Sequence, residues 1–153
     1  MTIGIGADHA GFALKEVIRA ALESQGHRVT NFGTHSSESA DYPDIALPLA
    51  HAVATGRFER GILICGTGIG SALAANKVRG ARAAVAHESY SARMSREHND
   101  VNILCLGGRV VGPELALDVV RAWLAAEFTG EERHARRLEK IRRAEAQGLA
   151  TPR

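Results

Sequence analysis

A parallel β-sheet wound on both faces by helices is predicted from three features of the chain. Five short apolar runs recur along it, and most are separated by stretches with helical periodicity. One run, Ile62-Leu63-Ile64-Cys65, is apolar without a break, the mark of a central strand buried on both faces. Glycine clusters fall where runs end, at Gly66-Thr67-Gly68-Ile69-Gly70 and Gly107-Gly108.

The elements follow in order. Thr2 to Gly6 reads as a short buried strand, and Leu14, Val17, Ile18, Ala21 and Leu22 then share one helix face before Gly26 stops it. His27 to Phe32 alternate polar and apolar, giving a second strand. A polar loop from Gly33 to Asp41 leads to Pro43, suited to a first helical position, and a helix carrying Ile45, Leu47, Leu49, Ala50 and Val53 up to Gly56. After the Ile62–Cys65 strand come a helix from Ser71 to Asn76 and a strand from Ala81 to Ala86. Ser89 is expected to cap a helix towards Glu97; Ile103 to Leu106 form the fifth strand, and Pro113 starts a helix through Trp123. A charged helix after Gly130 extends the single domain expected over residues 1–153. In such a sheet ligands gather at the carboxyl ends of the strands, the edge expected to carry Asp8-His9, the 66–70 loop and Gly107-Gly108-Arg109.

Composition narrows the function. At 153 residues, 45% hydrophobic and 24% charged, the chain matches a globular protein and not a disordered or fibrous one. It has no apolar run of membrane-spanning length and no signal-peptide pattern, so a cytoplasmic protein is expected. The net charge of +2 argues against nucleic acid as a partner. That charge is unevenly spread: residues 1–129 hold 12 basic and 13 acidic side chains, residues 130–153 hold 7 and 4. The basic stretch reads either as a solvated helix face or as an anion site.

The 66–70 loop lets backbone amides converge on a negative charge. It is neither a dinucleotide fingerprint, because Ser71 stands where a third spaced glycine belongs, nor a phosphate loop ending in Gly-Lys-Ser/Thr. Cys65 just before it reads as a small buried hydrophobe or as a thiolate favoured by the helix start beside it. Cys105 lies mid-strand and reads as packed. No histidine pair has i, i+4 ligand spacing and no Cys-x-x-Cys occurs, so no metal is expected. His9 and His98 adjoin polar partners at element ends, whereas His27, His35, His51 and His87 read as surface or core fillers.

Several separated motifs then carry a resemblance: Asp8-His9-Ala10-Gly11, Asp41-Tyr42-Pro43, Cys65 to Gly70 with Ala74-Ala75-Asn76-Lys77, Ser91-Ala92, His98-Asn99-Asp100, Gly108 to Gly112, and Arg133 with Arg137. Together they resemble the ribose-5-phosphate isomerase type B family, which includes galactose-6-phosphate isomerase subunits, over roughly residues 3–141. The resemblance implies a Rossmann-like subunit that forms a homodimer, with a tetramer as the alternative, with sites at the subunit boundary and no cofactor. It implies Cys65 as the base between sugar carbons 1 and 2, the amides around Gly66, Gly68 and Gly70 as the oxyanion hole with Ser71 among the substrate-binding residues, and Thr67 and His98 in ring opening and proton relay. Asp8, Tyr42 and Asn99 would hold sugar hydroxyls or order loops; His9, Arg109, Arg133 and Arg137 would hold the phosphate. A glutamate-base branch places its base where Ser71 stands, so this chain resembles the cysteine branch. Ribose 5-phosphate is the expected substrate; a four- or six-carbon sugar phosphate, or binding without chemistry, are the alternatives.

Overall fold

The structure, a computed structural model, describes residues 1–148; the end of the predicted C-terminal tail, residues 149–153, lies outside the described residues. Strands and helices alternate as the periodicity requires through the first ten of eleven elements, and a second helix follows the tenth: β1 (Thr2–Ala7), α1 (Phe12–Ser24), β2 (Arg28–Asn31), α2 (Tyr42–Ala54), β3 (Arg60–Cys65), α3 (Ile69–Ala75), β4 (Ala83–Val85), α4 (Ser89–Asn99), β5 (Ile103–Gly107), α5 (Pro113–Ala125) and α6 (Glu132–Gln147). All strand pairs are parallel and the order is β2-β1-β3-β5-β4.

Side chains of a strand alternate between the two sheet faces, and the core divides accordingly. Ile62, Ile64, Leu104 and Leu106 join Leu14, Ile18, Val119 and Trp123 beneath α1, α4 and α5. Leu63, Ile103 and Cys105 join Ile45, Leu49, Val53 and Ala72 beneath α2 and α3. The crossover leaving β1 therefore lies on one face and that leaving β3 on the other, although the two strands are hydrogen-bonded neighbours. Such a divergence opens a crevice at the carboxyl ends of the pair.

Two local readings are corrected. Val17, expected on the buried face of α1, is 39% exposed, and Lys15 is buried in its place. Lys15 Nζ donates to Asn31 Oδ1 at 3.0 Å and to the Thr34 carbonyl, so a buried ammonium ties α1 to the loop after β2. The cap of α4 is Glu88 and not Ser89: its carboxylate accepts the Tyr90 and Ser91 amides at 2.6 and 2.7 Å. A carboxylate there satisfies two orphan donors and faces the positive end of the helix.

Candidate active site

Three loops interlock at the carboxyl edge. After β1, buried Asp8 turns the chain by accepting the Ala10 and Gly11 amides on Oδ1 at 2.9 and 3.1 Å. The next residue, His9, accepts the Ala40 amide on Nδ1 at 3.3 Å. That contact puts the proton of the neutral ring on Nε2, as a donor for something else. From β5, the Gly108 amide donates to the Cys65 carbonyl at 2.8 Å and the Arg109 amide to the Gly66 carbonyl at 3.1 Å. A Cβ on Gly108 would lie 2.5 Å from the Ala10 carbonyl oxygen, so this approach requires glycine.

Cys65 ends β3 buried, and its Sγ accepts the Gly68 amide at 3.2 Å. Gly68 has φ +79°, and a Cβ there would stand 3.0 Å from the Leu106 carbonyl carbon, so glycine alone suits the turn. An amide aimed at sulfur stabilises negative charge there. Gly68 is thus committed to the thiol and is not a free oxyanion donor. The amides of Gly70 and Ser71, in the first turn of α3, have no hydrogen-bond acceptor among the described residues, because the helical ladder begins only with the Ala72 amide donating to the Gly68 carbonyl. Tyr42, first in α2, lays its ring over Gly70, where a Cβ would be 2.7 Å from Cζ. Arg109 is exposed and runs beside Gly66. Thr67 is exposed at the rim.

The second cysteine is of another kind. Burial, reinforced by Cys65 nearby, pushes the Cys105 thiol well above its ordinary range, so it stays a neutral packing group. Among the described residues no group of three His, Cys, Asp or Glu side chains could hold a metal ion.

The remaining expected site residues are elsewhere. Helix α4 leaves the carboxyl end of β4 and returns to the start of β5, so His98 and Asn99 in its last turn lie at the amino edge of the sheet. The Thr129 amide donates to the Glu97 carbonyl at 3.0 Å, which brings α6 to the same end. Arg133 and Arg137 are both exposed there. Arg133 pairs with Glu131 at 2.8 Å, while Arg137 has no ion pair among the described residues. Arg136 and Arg143 pair along the helix with Glu132 and Glu139. The expected site residues therefore fall into two groups at opposite edges of the sheet, one with the thiol and one with His98 and the two arginines.

One histidine escapes the sequence reading, and another is read there only as a filler. His134 is buried on α6 and stacks on His98. His87, read as a filler, follows β4 at the carboxyl edge and accepts the Gly107 amide on Nε2 at 2.9 Å. Neither has a motif; the first is signalled only by its place between Arg133 and Arg137.

A family model described as Ribose/Galactose Isomerase matches residues 3–141. Ribose-5-phosphate isomerase B of Escherichia coli is 53% identical over 139 residues, spanning 91% of this chain and 93% of that protein. D-erythrulose-4-phosphate isomerase of Pectobacterium atrosepticum is 47% identical, spanning 92% and 93%. The solved structure of Clostridium thermocellum ribose-5-phosphate isomerase B superposes with a TM-score of 0.94 at 58% identity, covering 96% of this chain and 99% of that one. Matched over residues 3–141 and at these identities along nearly the whole chain, the protein belongs to the ribose/galactose isomerase family and is an aldose–ketose isomerase.

Proposed function

We propose that this isomerase interconverts ribose 5-phosphate and ribulose 5-phosphate, in a homodimer whose two chains each supply one half of every site. The observation that carries the reading is the buried Cys65 sulfur facing the Gly68 amide, beside the open amides of Gly70 and Ser71. In the open-chain aldose Cys65 as thiolate takes the proton from carbon 2 while negative charge develops on the carbonyl oxygen. Preorganised amides stabilise that charge without rearranging. The proton on the carbon-2 hydroxyl passes to oxygen 1, and the thiol returns its proton to carbon 1, giving the ketose.

His98 and Thr67 serve ring opening, by proton exchange with the anomeric hydroxyl and the ring oxygen. Asp8 orders the loop, Tyr42 and Asn99 meet sugar hydroxyls, and His9, Arg109, Arg133 and Arg137 hold the phosphate. Phosphate is remote from the reacting carbons, so its binding energy aligns the chain for proton transfer. The pairing of chains is supported by the separation of the half-sites: the groups at the amino edge cannot reach their own chain's Cys65 across the length of the sheet. Exposed Ile69 and Leu73 on α3 offer apolar surface beside the thiol loop for a second copy. We assign the enzyme to the cytoplasm, in keeping with two free cysteines.

Turnover of four-, five- and six-carbon aldose phosphates by the purified chain tests the substrate; kcat/KM highest on a sugar other than ribose 5-phosphate would overturn it. A four-carbon preference is the second reading, favoured by the 47% identity to an erythrulose-4-phosphate isomerase. Mixing Cys65→Ala and His98→Asn chains, each impaired on the cyclic pentose phosphate, tests the pairing. Shared sites predict that activity returns on mixing, since each mixed dimer then holds one intact site; independent sites predict none.

A further inference from the structure

We infer that His87 is a positioning residue for Arg109, acting through the Gly107 amide; this rests on the proposed role of Arg109 in holding phosphate. The Gly107–Arg109 turn is fastened at three points. Gly108 and Arg109 donate to the Cys65 and Gly66 carbonyls at 2.8 and 3.1 Å, which ties the turn to the thiol loop. The third point is the Gly107 amide, which donates to His87 Nε2 at 2.9 Å. Gly107 stands opposite Cys65 in the β3–β5 register, two residues beyond the last β4–β5 pairing, Val85 with Cys105. Here β4 has ended and no longer supplies a carbonyl, so a side chain from the residues following β4 supplies the acceptor instead.

The chemistry of the contact restricts what residue 87 can be. An amide donor requires a lone pair on Nε2, so the ring is neutral with its proton on Nδ1. An amide left without an acceptor in a half-buried place loses its reason to stay, and the turn gains freedom to swing. A Cβ on Gly107 would sit 2.7 Å from Val110 Cγ2 and 3.0 Å from the Thr67 carbonyl carbon, so the turn also backs directly onto the thiol loop and Val110. Movement at Gly107 is thereby passed to Arg109 two residues on. Glutamine is the conservative replacement, because its amide oxygen reaches about as far from the backbone as Nε2 and accepts without titrating.

The test compares His87→Leu, His87→Gln and Arg109→Ala with wild type. Amide hydrogen exchange at Gly107, Gly108 and Arg109 reads the latch directly, and kinetics on the phosphorylated sugar reads its effect on the site. His87→Leu is expected to lose protection at the three amides and to raise KM about three- to tenfold with kcat less affected, the loss expected for one amide without an acceptor. His87→Gln is expected to restore both. Unchanged exchange in His87→Leu, or a His87→Gln variant as impaired as His87→Leu, would overturn the inference. So would lost protection with an unchanged KM while Arg109→Ala raises KM. If Arg109→Ala itself leaves KM unchanged, the phosphate role of Arg109 fails, and with it the link from His87 to the substrate. Should His87→Leu not fold, His87→Gln decides: wild-type exchange and KM support the latch, and loss of either rejects it.

Discussion

The imidazoles of His98 and His134 lie face to face, their centroids 4.3 Å apart and their planes 11° from parallel. One ring comes from the last turn of α4 and the other from the first turn of α6, so the stack fixes the C-terminal helix against the sheet edge. His134 is buried, and its Nε2 has no hydrogen-bond partner among the described residues.

Burial first, then His98 and the neighbouring Arg133 and Arg137, hold the His134 pKa below its ordinary value, against the opposing pull of Glu131. The unfolded chain therefore takes up this proton before the folded one does as pH falls. The stability contributed by neutral His134 is full above about pH 6.5 and declines below it, down to the folded-state value. Denaturant unfolding between pH 8 and 5 is expected to show that decline, and His134→Phe, which keeps a flat ring in the stack, is expected to flatten it. An equally steep decline in His134→Phe would assign the effect to other groups.

Cys65→Ala is expected to lower turnover by about 10²- to 10⁴-fold, the usual cost of a general base. Exchange of the carbon-2 proton should fall with it, while far-UV circular dichroism stays unchanged. Cys105→Ala is the contrast: a packed thiol among Leu63 and Ile103 should cost stability and not rate. Wild-type exchange in Cys65→Ala would move the base elsewhere.

Removing His98 separates ring opening from proton transfer. His98→Asn is expected to slow turnover of a cyclic pentose phosphate more than that of a four-carbon aldose phosphate, which cannot close a furanose through its phosphorylated oxygen. Equal losses on the two substrates would place His98 in the proton-transfer step.

Arg137, exposed and without an ion pair among the described residues, is expected to confer preference for the phosphorylated sugar. Arg137→Ala should raise KM for the phosphorylated sugar and leave the unphosphorylated one alone. Arg143→Ala, which removes only an exposed pair with Glu139 at 3.0 Å, should change neither.

Gly108→Ala is expected to destabilise the fold by about 1–3 kcal/mol, because the added methyl must displace the Ala10 carbonyl. Thermal unfolding would detect it; an unchanged midpoint would show that the three loops have room to part.

Much of this arrangement is legible in residue order, because strands and helices announce themselves by period and the glycine loops by composition. Asp8, Cys65 and Arg109 meet because each ends or follows a strand at the same edge, a consequence of parallel topology. The rest depended on facts that period does not carry. Lys15 displaces Val17 from the buried side because its ammonium finds oxygen acceptors in the loop after β2. Glu88 outranks Ser89 as a cap because its longer carboxylate spans two amides. The place of His98, Asn99, Arg133 and Arg137 follows from the direction of α4, and period gives a helix's face but not the edge at which it ends.

The amide that faces Cys65 belongs to the main chain, and its direction is set by the torsion angles of Gly68. In the proposed mechanism proton abstraction is thereby anchored in backbone geometry, while discrimination among sugars is left to rim side chains such as Tyr42. The two can diverge independently in evolution: replacing a rim residue re-aims the scaffold at a shorter or longer sugar and leaves the reactive centre inherited intact.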